Sequence, residues 1–112
     1  MKQIRFIQSS PMGKVDGLMR VVGKDIFLKI KNTQHLDAIL KQLEKKGAKI
    51  GKGRNWVRID IFGDNKLVKL GEYEIDLEKD SEKSVEEKIS KFYFEQYKKG
   101  GCYVEMQDEV TV

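Results

Sequence analysis

Apolar residues recur at two-residue spacing, then at helical spacing, then at two again, and this change of step constrains the fold more than any other feature of the chain. Ile4 and Phe6 alternate with Arg5 and Ile7, which predicts a strand over residues 2–8. Residues 9–17, with Pro11, Gly13 and Gly17 among them, predict a loop. Leu18 to Val22 and Ile26 to Lys31 flank Gly23-Lys24-Asp25, which predicts a hairpin whose turn is supplied by glycine. On its second strand Ile26, Leu28 and Ile30 share one face, and Phe27, Lys29 and Lys31 share the other.

Asn32 or Thr33 then caps a helix whose apolar stripe is Leu36, Ile39, Leu40 and Leu43. Lys45 and Lys46 complement its carboxyl-end dipole, and Gly47 stops it. Ala48 to Asn55 is glycine-rich and basic and predicts a loop. Trp56 to Phe62 predicts a strand with Val57, Ile59 and Ile61 facing inward, and Gly63-Asp64-Asn65 a turn. Lys66 to Leu77 predicts a long strand with a break at Gly71. Ser84-Val85-Glu86-Glu87 matches a capping box for a second helix, lined by Val85, Ile89, Phe92 and Gln96 and ended by Gly100-Gly101. Cys102 to Met106 predicts a closing strand, which Gln107 to Val112 either extend or leave frayed.

From residue 26 onward the order is β-α-β-β-α-β, which resembles the ferredoxin-like, or split-βαβ, architecture in element order alone. The expectation is therefore an α+β fold: a ferredoxin-like antiparallel sheet with two helices and an extra N-terminal strand pair. At 112 residues the chain predicts a single domain over residues 1–112. The Gly-aromatic-Gly/Ala-aromatic core of the RNA-recognition motif, which uses this architecture, is absent. No apolar run approaches the ~20 residues of a membrane span, and the first residues enter a strand pattern rather than a signal peptide. Cys102 is the only cysteine, so no internal disulfide forms and a cytoplasmic setting is expected.

Charge is spread unevenly. Residues 1–71 carry 16 Lys+Arg against 6 Asp+Glu, and residues 72–112 carry 6 against 12, so the net +4 conceals a dipolar molecule. A basic half points to a polyanionic partner. Its densest part holds Lys45, Lys46, Lys49, Lys52, Arg54, Trp56 and Arg58, interleaved with Gly47, Gly51 and Gly53. Guanidinium and ammonium groups grip phosphates, glycines allow close backbone approach, and a tryptophan stacks on a base. This helix-loop-strand segment is the expected nucleic-acid contact, with Phe27, Lys29 and Lys31 extending it if their strand lies alongside. It is no Walker loop: three residues rather than four lie between Gly47 and Gly51, Lys52 precedes Gly53 rather than Ser or Thr, and a helix precedes the segment.

The alternative expectation is a protein-interaction module or inhibitor of a nucleic-acid-handling enzyme. It would dock on an acidic protein surface, or through Tyr93, Phe94 and Tyr97 on the second helix, and opposite-charge faces would favour self-association. Glu72, Glu74 and Asp76 share one strand face and read as a charged, solvent-facing edge. No catalysis, metal or cofactor is expected. His35 is the only histidine, and Cys102 alternates with Val104 and Met106 as a packing residue. Two nitrogen or sulfur ligands are too few for zinc. A carboxylate-only nuclease would need Asp60 with Glu72 or Glu74 and Lys69.

Overall fold

The computed structural model describes residues 1–10 and 13–108. Strands β1 (Lys2–Ser10), β2 (Gly13–Val22) and β3 (Asp25–Ile30) lead into helix α1 (Thr33–Lys45). Strands β4 (Lys49–Lys52), β5 (Val57–Asp60), β6 (Leu67–Leu70) and β7 (Tyr73–Asp76) follow, then helix α2 (Glu82–Lys99) and strand β8 (Tyr103–Asp108). Six strands make one sheet in the order β4-β5-β3-β2-β1-β8, and β6 and β7 pair apart from it. Every pairing in both sheets is antiparallel.

The fold is α+β with two helices and an antiparallel sheet, as expected, but the strand order is not that of a split-βαβ unit. The cause is β4. The segment expected to be a loop is a strand paired with β5, from Lys49 opposite Asp60 to Lys52 opposite Val57. That extra strand reverses the direction of β5, which lies antiparallel to β3 rather than parallel to it. The N-terminal strands are not additions at the rim. β1 and β2 are interior strands, and β1 carries β8 on its free side. They also run longer than expected, through part of the predicted loop, while Pro11 and Met12 lie outside the described residues.

Local chemistry accounts for the element ends. Gly23 (φ 59°) makes the β2–β3 turn and Gly71 (φ 58°) makes the β6–β7 turn, both in the left-handed region that glycine adopts freely. The predicted long strand over Lys66–Leu77 is thus a hairpin. The Asn32 side chain accepts a hydrogen bond from the His35 backbone N–H at 3.0 Å, capping α1. Helix α2 starts earlier than the expected box: Ser81 is its cap and accepts from the Ser84 N–H at 3.1 Å. Gln107 and Asp108 extend the closing strand, and residues 109–112 lie outside the described residues.

Both helices lie on one face of the sheet. That inner face is built from Ile4 and Phe6 (β1), Met19 and Val21 (β2), Ile26, Leu28 and Ile30 (β3), and Val57 and Ile59 (β5), all buried. Leu40 of α1, Val85 and Ile89 of α2, and Ile75 of the β6–β7 hairpin close over it. Ser90, the one buried polar residue among the described residues, donates to the Glu86 carbonyl at 2.6 Å, so its hydroxyl is satisfied.

Phe6 is held between two partners. Gly17 stands opposite it in the register, and the Phe6 ring lies where a Gly17 side chain would be. Tyr97 of α2 stacks on the same ring at 4.0 Å between centroids and 10° between planes. Glycine at 17 is therefore required by packing rather than by backbone angle. Phe6→Ala is expected to cost about 3–5 kcal/mol and Gly17→Ala about 1–3 kcal/mol by overpacking, read from urea denaturation midpoints.

Candidate nucleic-acid interface

Among the described residues no helix covers the outer face of the sheet, and the register assigns its residues. Gly51, Arg58, Phe27, Arg20, Gln3 and Gln107 form one row across all six strands. Lys29, Leu18, Arg5 and Glu105 form the next. Trp56 precedes β5 and shares this face. The Arg20 guanidinium sits over its ring at 4.9 Å from the centroid, and the Lys29 ammonium at 5.8 Å.

The β4–β5 turn holds the remaining groups. The Gly53 N–H donates to the Trp56 carbonyl at 2.8 Å, and a Cβ at Gly53 would stand only 2.7 Å from that oxygen, so glycine fits the closure. Arg54 and Asn55 form its tip. A shallow depression of about 610 Å³ opens here, bordered by Arg20, Phe27, Lys52, Arg54, Trp56 and Arg58. Gly51 lies in its wall, where a Cβ would meet only the Arg58 Cβ at 3.9 Å.

Lys52, Arg54, Trp56 and Arg58 are thus brought together, as the sequence predicts, and Phe27 and Lys29 join them because β3 neighbours β5. The other three expected residues stand apart. Lys45 ends α1 and Lys46 caps it, on the helix-bearing side of the sheet. Lys49 is at the far end of β4 and donates to Asp64 at 2.6 Å, a hydrogen bond that raises the Lys49 ammonium and lowers the Asp64 carboxyl from their ordinary values. Lys31 follows β3 and takes no part in the depression. Arg20 is the residue that the sequence reading missed. Counting from the Gly23 turn places it opposite Phe27, so the hairpin alone carried the signal.

Carboxylates divide the cations of this face. Arg58 pairs with Asp25 at 3.0 Å, Arg5 with Asp16 at 3.2 Å and Lys24 with Asp60 at 3.7 Å. Arg20 donates to the neutral Gln3 side chain at 2.8 Å. Among the described residues Arg20, Lys29, Lys52 and Arg54 have no ion pair; the first two lie over the Trp56 ring and the other two border the depression beside it. Asp60 also accepts from the Phe62 N–H at 3.0 Å, so it serves the end of β5. No group of three or more His, Cys, Asp or Glu able to hold a metal ion occurs among the described residues. No helix among them is long and apolar enough to cross a membrane.

No protein-family model matches the chain, no curated protein matches its sequence, and no solved structure matches its fold.

On α2, Tyr93, Phe94 and Tyr97 are all partly buried against the core. Lys98 lies over the Phe94 ring at 6.0 Å, and Tyr93 and Tyr97 approach each other at 6.5 Å between centroids. Burial pushes the Tyr93 hydroxyl from 10.0 up to about 12, and moves Tyr97 in the same direction. Below pH 10 these groups are neutral both folded and unfolded, so they give no pH dependence. Above it the unfolded chain releases protons first, and stability is expected to fall as pH rises from 10.0 through about 12. Thermal melts across that range, with Tyr93→Phe and Tyr97→Phe flattening the decline, check this.

Proposed function

We propose that this chain is a small, non-catalytic, cytosolic binding module that contacts nucleic acid through the outer face of its sheet, around Trp56. The observation that carries the reading is a set of four cations without carboxylate partners beside one indole ring: Arg20 and Lys29 lie over the ring, and Lys52 and Arg54 border the depression next to it. Neutralised cations such as Arg58 and Arg5 offer a phosphate little net attraction, because a carboxylate competes for the same donors. The unpaired four do not have that competitor. Trp56 supplies an apolar plane that every base can cover. Charge gives affinity and stacking gives a place for the base, with no donor pattern that selects one base over another.

The salt dependence follows from the number of cations. The seven-residue basic segment seen in sequence would suggest six or so phosphate contacts and roughly a thousand-fold loss of affinity between 50 and 200 mM salt. Four contacts reduce that to about 50-fold for a single strand and about 150-fold for a duplex. Fluorescence anisotropy with labelled DNA and RNA at the two salt concentrations measures it. Arg54→Glu with Trp56→Ala is expected to remove binding, whereas Lys45→Glu with Lys46→Glu, the same sign of change on the opposite side of the sheet, should weaken it less than threefold. Absence of binding by the unaltered protein at ~10–50 μM would refute the reading.

A further inference from the structure

We infer that the depression beside Trp56 seats one unstacked base, so that the nucleic acid held on this face is single-stranded. This rests on the nucleic-acid reading above and goes beyond it, because cations alone would bind a duplex backbone equally well.

Six strands at ~4.8 Å spacing span about 24 Å from edge to edge. A duplex major groove about 12 Å wide admits a helix or a two-stranded ribbon, not a sheet of this breadth presented face-on. The described part of the outer face offers no helix to enter a groove. The aromatic groups at the depression, Trp56 and Phe27, are partly buried in the sheet surface and do not project from it as a wedge would, and the exposed Tyr103 lies apart on β8, where its hydroxyl donates to Glu105 at 2.6 Å. A base can reach Trp56 and Phe27 only by leaving its stack, which a single strand permits at little cost.

The depression has the required outline. Arg54 and Lys52 stand at its β4–β5 rim for phosphate, and Arg20 already lies over the indole as a second planar surface. Gly51 is decisive for access. It lies in the same row as Arg58 and Phe27, and only the Arg58 Cβ comes within 4 Å of where its own Cβ would be. Its lack of a side chain therefore leaves the depression open. No left-handed φ holds glycine at this position, so a β-branched residue suits the strand while filling the space.

The test uses the intact chain with a labelled 12-nucleotide single strand, in DNA and RNA form, and the matching DNA duplex at 100 mM salt. The single strand is expected to bind at least tenfold more tightly than the duplex. Gly51→Val, which keeps every charge, should weaken single-strand binding at least tenfold and leave any duplex binding within twofold. Because Trp56 is the only tryptophan, stacking should also quench the intrinsic fluorescence of the unaltered protein in proportion to occupancy. That reading needs no variant to fold. Duplex binding as tight as single-strand binding, or saturation without quenching, would overturn the inference while leaving the nucleic-acid reading intact. So would a folded Gly51→Val that binds normally. If neither form binds, both fall together.

Discussion

One-sided burial is the constraint on which the rest of this structure depends. A fully antiparallel sheet needs only one covered face, because alternate side chains satisfy water on the other. Here α1, α2 and the β6–β7 hairpin all close over the same side, where Ile4, Leu28 and Ile75 are completely buried. The opposite side spans all six strands. Phe6, set between Gly17 and Tyr97, couples α2 to the two central N-terminal strands, so the covering helix and the open face are secured by one stack of groups. A feature on the outer face is thus rigid without being buried, which suits a binding surface.

Charge is organised on the same plan. The acidic half of the chain is not a uniform anionic surface. Asp80 accepts from the Asp76 N–H at 2.9 Å and from Lys88 at 3.0 Å, and Asp76 accepts from the Glu78 N–H, so carboxylates there organise the turn into α2. On the outer face Asp16 pairs with Arg5 and Asp60 with Lys24, while Asp25 pairs with Arg58 at the depression itself. Beside Trp56 that leaves Arg20, Lys29, Lys52 and Arg54 without an ion pair. Net charge and even local charge density overstate this set, because pairing distances decide which cations stay available to a ligand.

Much of the fold was legible. The two helices, the Gly23 hairpin and the inward sets Ile26/Leu28/Ile30 and Val57/Ile59 follow from period and turn chemistry alone. The errors have physical causes. Lys49-Ile50-Gly51-Lys52 has one apolar residue and a glycine, so as an edge strand it carries almost no alternation to read. Missing it reversed the direction of β5 and with it the whole topology. Phe94 shows the reverse case. A wheel assigns one buried stripe to α2, whereas the helix touches β1, β2, β7 and β8, and neighbours on several sides cover residues outside that stripe.

The sequence by itself determined the local elements, the identity of the inward faces and the presence of arginine, lysine, glycine and tryptophan in one short segment, because these depend on residues close along the chain. Only the tertiary structure decided which of those cations lie together. Lys45 and Lys46 are nearer to Lys49 in sequence than Arg20 is to Trp56, yet α1 carries them behind the sheet while strand register brings Arg20 to 4.9 Å from the indole. Register and pairing are long-range choices, settled by how the inner face packs, and the outer face inherits its arrangement from that packing.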